Sequence, residues 1–142
     1  MGQVHFHTIG DVCDSKLEFG VIVAEFKDKW IFVRHRERDT WEIPGGHREK
    51  DENIDHTASR ELFEETGAKK FIITPICDYS VTINNNTRFG RLFCSEIKEL
   101  GELPNLEIEE IKLFNVLPEN LTYPNIQKYL YEKVLLWKRQ CE

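Results

Sequence analysis

The stretch between Gly46 and Gly67 restricts the fold of this chain more than any other. Asp55 to Thr66 is rich in helix formers with few breakers, and Gly67 stands where a left-handed cap commonly ends a helix. On a helix turning roughly 100° per residue, Glu61, Glu64 and Glu65 fall within one sector of roughly 100°, with Arg60 beside Glu64 on its flank. Three carboxylates therefore share a face. Like charges three and four residues apart each destabilise a helix by about a few tenths of a kcal/mol, and they raise one another's pKa. Two readings of the helix alone stay open. The face is either solvated, or it holds a hard divalent cation, which prefers carboxylate and carbonyl oxygens and completes its shell with water and substrate phosphates.

The flanking sequence predicts a sheet for this helix to lie on. Val4 to Gly10, Gly20 to Phe26 and Trp30 to Arg34 read as strands, the last two joined by the turn Lys27, Asp28 and Lys29. Trp41-Glu-Ile-Pro-Gly-Gly46 predicts a loop of special shape, since Pro44 excludes helix and the glycines permit unusual dihedrals. Beyond the helix, Phe71 to Ile83 and Arg88 to Ile97 predict a second hairpin turned by Asn84 to Thr87, and Ile108 to Val116 a further strand. Pro124 opens a last helix with Ile126, Leu130, Val134 and Trp137 on its apolar face. With no repeat, low-complexity tract or linker, strands and helices interleave as one α/β domain over residues 1–142.

The string GHREKDENIDHTASRELFEETGA, Gly46 to Ala68, matches at every defined position the pattern Gly-x5-Glu-x7-Arg-Glu-U-x-Glu-Glu-x-Gly-U, where U is aliphatic or small. The defined residues are Gly46, Glu52, Arg60, Glu61, Leu62, Glu64, Glu65, Gly67 and Ala68, led into by Trp41, Pro44 and Gly45. In this the chain resembles the Nudix hydrolase family. The resemblance implies a mixed β-sheet in an α/β/α sandwich, and hydrolysis of a nucleoside diphosphate linked to another group with Mg²⁺ or Mn²⁺. Carried over by position, it makes Glu61, Glu64, Glu65 and the Gly46 carbonyl candidate metal ligands, and Glu52 with Arg60 the ion pair that orients them. Such chemistry suits the residues, because cleaving a pyrophosphate requires neutralising oxygen charge and generating hydroxide near neutral pH. Glu61 is the first candidate for general base. The acidic stretch Glu107, Glu109 and Glu110 is divided between an ordinary charged segment and a supplementary metal site, for which Glu110 and Glu109 are the better candidates. Arg34 and Arg36, with the Gly45 and Gly46 backbone, are the candidate phosphate contacts.

Charge narrows the partner. Nineteen Lys and Arg against 25 Asp and Glu leave a net charge of −6, which disfavours non-specific nucleic-acid binding and leaves an RNA 5′ end as the one nucleic-acid substrate to consider. A small nucleotide is the expected partner, an oxidised guanine triphosphate such as 8-oxo-dGTP leading. The segment Leu117 to Pro124 resembles the C-terminal part of some bacterial members acting on that compound. The alternatives are removal of pyrophosphate from RNA 5′ ends and a Nudix-fold sensor that binds without turnover, for which the intact glutamates are unusual. Cys13, Cys77, Cys94 and Cys141 form no Cys-x-x-Cys pair, so reduced thiols are expected. No segment reads as a secretory signal or bilayer span, and the cytoplasm is the default. His5 with His7, His47 and His56 are read as ordinary strand or surface residues. Trp41, Tyr79 and Phe89 are candidates for base stacking that core packing explains equally, and Asn120 is only loosely placed as a guanine reader.

Overall fold

In the computed structural model, which describes residues 2–141, the strands are β1 (Gln3–His7), β2 (Leu17–Phe26), β3 (Lys29–His35), β4 (Gly45–His47), β5 (Ala68–Ile83), β6 (Asn86–Leu100) and β7 (Ile108–Phe114). The helices are α1 (Ile54–Thr66) and α2 (Pro124–Gln140). One seven-stranded sheet carries the order β1-β5-β6-β2-β3-β7, with β4 pairing on β2. Only β2 and β6 run parallel among these pairings.

Both faces of the sheet are apolar, and the strand period shows why. Ile22, Ala24, Ile31, Val33 and Phe93 point to one face and pack with Ala58 and Leu62 of α1. Their neighbours Val23, Trp30, Phe32, Leu92 and Cys94 point to the other and pack with Leu130, Tyr131 and Val134 of α2. The predicted α/β/α sandwich with a mixed sheet is thus the observed fold. Leu62 and Val134 have no exposed surface, so truncating either to Ala costs about 2–5 kcal/mol.

Local sequence sets the turns. Lys27 and Asp28 between β2 and β3, and Asn84 and Asn85 between β5 and β6, all take positive φ, between 52° and 65°. Two-residue hairpins need that conformation to match strand twist, and Asn and Asp tolerate it. Asn53 caps α1 by accepting the His56 N–H at 2.7 Å, and Gly67 closes it at φ 79°.

Strand bounds shift by up to three residues, β1 ending at His7 and β2 starting at Leu17, and two further differences have a local cause. β5 begins at Ala68, directly after the cap, because Ala68 is already paired to Leu100. The glycine loop is partly strand: Gly45 and Gly46 pair with Val21 and Gly20 on β2. A Cβ on Gly45 would stand 2.6 Å from the Gly20 carbonyl oxygen, so only glycine permits this approach.

Candidate active site

Pairing β4 to the sheet brings the glycines against the acidic face of α1. A Cβ at Gly46 would sit 1.5 Å from Glu61 Oε2, so the absent side chain is what lets this carboxylate reach the backbone. The Gly45 N–H donates to Glu65 Oε1 at 3.0 Å. Around this junction lies an open cleft of about 670 Å³, lined by Glu61, Glu64 and Glu65 together with Arg60, Glu42, Glu49 and Glu107.

Arg60 organises the carboxylates. Its Nε and Nη2 donate to the two oxygens of Glu52 at 2.7 and 3.0 Å, a bidentate clamp, and Nη2 also donates to the His47 carbonyl at 3.0 Å. Nη1 donates to Glu61 and Glu64, each at 3.2 Å. Glu52 accepts further from the Thr57 hydroxyl at 2.6 Å and the Glu49 N–H at 3.0 Å. The Arg60 contact foremost, against the cost of burial, holds the Glu52 carboxyl down at about 2. This anchor stays ionised and keeps the guanidinium over the α1 face.

Glu61 and Glu65 are shifted the opposite way. Burial pushes Glu65 up to about 9, opposed by the Gly45 hydrogen bond, and pushes Glu61 up to about 7, opposed by Arg60. Two carboxylates are thus held where their charge is poorly solvated, beside a third on Glu64 and a backbone turn at Gly46. A hard dication relieves that cost and prefers such oxygen donors, so the donor set fits Mg²⁺ or Mn²⁺. One ligand atom each from His35, Glu65 and Glu107 also lie within 4.8 Å of one another.

The structure gathers Gly45, Gly46, Arg60, Glu61, Glu64 and Glu65 in the cleft, with Glu52 behind Arg60, but not the other residues read as contacts. Arg34 Nε bonds Glu110 at 3.3 Å, and Nη1 donates to the Arg38 carbonyl. Arg36 is tied to the Leu106 carbonyl, Glu109 and Asn105. None of Arg34, Arg36, Glu109 and Glu110 lines the cleft. The cause is β3–β7 pairing, which sets Arg34 opposite Glu110 and joins the candidate cations to the candidate ligands as cross-strand ion pairs. Glu107, just before β7, lines the cleft instead, as do Arg38, His35 and Glu42. Arg38 Nη1 donates to Glu42 at 2.7 Å, and the Thr122 hydroxyl donates to the same carboxylate at 3.0 Å. Among these, Glu107 had a sequence signal, as the less favoured member of the acidic stretch Glu107, Glu109 and Glu110.

A second cavity, about 580 Å³, adjoins the first and shares Glu42, Gly45, Gly46, His47 and Tyr123 with it. Its walls are mainly apolar: Phe19 and Val21 from β2, Tyr79, Val81 and Ile83 from β5, Ile126 and Leu130 from α2. Of the aromatic candidates only Tyr79 reaches it. Trp41 packs edge-on against Phe114, and Phe89 packs with Val12, Leu17 and Ile54. His47 stands edge-on to Phe19 with ring centroids 5.2 Å apart, while His7 bonds the Ser80 hydroxyl and Asn120 holds the Asp39 carbonyl.

Among the described residues no helix is long and apolar enough to cross a membrane. The NUDIX domain model matches residues 14–133. Among curated proteins, the chain is 30% identical over 71% of its length to YtkD of Bacillus subtilis (strain 168), named provisionally as an 8-oxo-dGTP diphosphatase, covering 64% of that protein. The chain spans less than two thirds of the length of the curated relatives it matches. Among solved structures, the Bacillus subtilis pyrophosphohydrolase BsRppH superposes with a TM-score of 0.76 at 23% identity, over 98% of this chain and 89% of that one. The NUDIX domain of Shewanella oneidensis NrtR, solved with ADP ribose, does so with a TM-score of 0.65 at 16% identity, over 87% and 88%. With the complete motif folded into one carboxylate-lined cleft and the domain matched over most of its length, the chain belongs to the Nudix hydrolase family.

Proposed function

We propose that this chain is a divalent-cation-dependent pyrophosphohydrolase of nucleoside triphosphates, with 8-oxo-dGTP as the leading substrate. The observation that carries the reading is the convergence of Glu61, Glu64 and Glu65 on the Gly46 backbone, ordered by one arginine that Glu52 holds from behind. The 30% identity to YtkD supports the choice of substrate.

Glu61, Glu64 and Glu65 with the Gly46 carbonyl would hold Mg²⁺ or Mn²⁺, which supplies charge neutralisation at the phosphate oxygens and an activated water. The chain's own residues do the rest. Arg60 fixes the positions of Glu61 and Glu64, so neither has to reorganise during the reaction. Glu61 is the candidate general base, since it stands at the Gly46 turn among the carboxylates of the cleft. Arg38 and Arg48 line the cleft as its other cations and suit the phosphates. The adjoining apolar cavity receives the nucleoside. We place this activity in the cytoplasm, which accords with four unpaired thiols.

The test is a substrate panel with Mg²⁺ or Mn²⁺ in ¹⁸O water, covering the common and 8-oxo nucleoside triphosphates, ADP-ribose and a 5′-triphosphorylated RNA. The expected result is pyrophosphate release with a nucleoside monophosphate as coproduct, fastest with 8-oxo-dGTP. Turnover of the RNA alone would transfer the reading to RNA 5′ ends. Nucleotide binding with no product would make the chain a sensor.

A further inference from the structure

The nucleoside cavity is apolar but for a few groups, and two of these are unusual. Tyr79 and Gln127 both line it, yet they are only 3% and 8% exposed. Gln127 Oε1 accepts the Ile43 N–H at 3.2 Å. Because a backbone N–H must meet an oxygen, this bond fixes which way the amide is turned, leaving Nε2, a donor only, as its outer end. Among the described residues neither Gln127 Nε2 nor the Tyr79 hydroxyl has a hydrogen-bond partner. Nor is either sealed in, since no fully occluded side-chain N or O lacks a partner. Both therefore open onto free space, and the space they line is this cavity.

Water can meet a donor that opens onto such a pocket, but a ligand that displaces this water must supply an acceptor in its place or lose affinity. Such a site favours a ligand with a matching acceptor and rejects one that presents a second donor. The remaining walls are Phe19, Val21, Val81 and Ile126, which suit the faces of a flat ring.

We propose that Gln127, with Tyr79, reads the base: the cavity takes a purine whose edge presents a carbonyl oxygen to Gln127 Nε2, and it discriminates against the amino edge of adenine. This rests on the nucleotide reading above and names the residues that select within it. Gln127 is fixed in this task by Ile43, whose chain continues through Pro44 into Gly45 and Gly46, so the base reader and the carboxylate cleft share one backbone support. Burial keeps the Tyr79 phenol neutral, its pKa raised above the ordinary value, so its hydroxyl stays available to donate to or accept from the same edge.

The experiment compares kcat and KM for dGTP, dATP, 8-oxo-dGTP and 8-oxo-dATP in the wild type, Gln127→Met and Tyr79→Phe. The wild type should favour dGTP over dATP by about tenfold or more in kcat/KM. Gln127→Met should shrink that ratio about tenfold, mainly through KM for dGTP, and Tyr79→Phe about threefold. The 8-oxo pair checks which carbonyl is read: indifference between 8-oxo-dATP and dATP is expected, because the discriminating oxygen is at position 6, and a preference for 8-oxo-dATP over dATP as large as that for dGTP overturns this placement. A purely structural effect of losing the Ile43 bond lowers all substrates together and leaves the ratio alone. A wild-type ratio near one, or ratios unchanged in both variants, overturns the proposal while nucleotide hydrolysis still stands. If nothing is hydrolysed, the same ratio is read from nucleotide binding by calorimetry, and no binding of any of the four overturns both readings. Should Gln127→Met fail to fold, Tyr79→Phe alone decides, because it removes one hydroxyl that no residue bonds.

Discussion

The two cavities that meet at Gly45 and Gly46 are built in opposite ways. The cleft is charged, and most of its chemistry comes from one continuous segment, Gly46 to Glu65, folded back on itself by β4 and α1. The groove is apolar, and its walls come from β2, β5 and α2, elements far apart in the chain. A reaction that must place several charges within fractions of an ångström is served by a short rigid segment, whereas a pocket that only has to fit a ring can be assembled from whatever the sheet and second helix leave facing each other. Changes in the cleft should strike the rate for every substrate, and changes in the groove should strike the choice among substrates.

The largest expected effect is Glu65→Gln. The amide oxygen can still accept the Gly45 N–H, but the charge is gone, and kcat should fall by about a hundredfold or more on every nucleotide. Because burial penalises the Glu65 charge, this variant should unfold no earlier than wild type in chelator at pH 8, a stability that separates lost chemistry from lost fold. Next comes Gly46→Ala. Its methyl would overlap Glu61 Oε2, and displacing that carboxylate by about 1 Å should cost roughly a hundredfold in kcat with base preference unchanged. Substituting Phe19→Ala in the groove should instead raise KM about tenfold and leave kcat within about twofold, since a lost ring face costs on the order of 1 kcal/mol or more of binding. If kcat collapsed as well, the division between the two cavities would be false. Smallest of all are Arg34→Ala and Glu110→Gln. These two pair with each other outside the cleft, and half-exposed ion pairs of this kind are worth about 0–1 kcal/mol, so neither should change kcat/KM by more than about twofold.

The same contrast explains what could be read from the sequence. Gly46, Arg60, Glu61, Glu64 and Glu65 were legible because helical spacing alone sets three carboxylates on one face, and a local motif carries its geometry with it. Gly67 and the two hairpin turns were legible for the same reason, each being the work of a few adjacent residues. Arg34, Arg36 and Glu110 lie outside the cleft because their place depends on β7 lying beside β3, a pairing across some 70 residues that no local pattern encodes. One position along the chain separates Glu107 from the β7 strand, and this decides that it faces the cleft while Glu110 pairs with Arg34. Gln127 left no signal at all. A polar residue between Ile126 and Leu130 reads as the edge of an apolar stripe until the Ile43 N–H is seen to need it. The long reach of β5 from Ala68 was hidden likewise, since Lys69 and Lys70 interrupt the apolar pattern that would have marked it.

The central claim is that the crowded carboxylates of α1 are held together to grip a dication. Mn²⁺ titrated into the protein and followed by electron paramagnetic resonance, with calorimetry at several pH values, tests it directly. The account predicts saturable binding that releases protons. Affinity should rise between about pH 6 and 9, because the Glu61 and Glu65 carboxyls, raised to about 7 and about 9, hold protons that the metal must displace. Binding should weaken at least about tenfold in Glu65→Gln and stay unchanged in Phe19→Ala. Mn²⁺ bound equally well by wild type and Glu65→Gln, with no proton release, would contradict it.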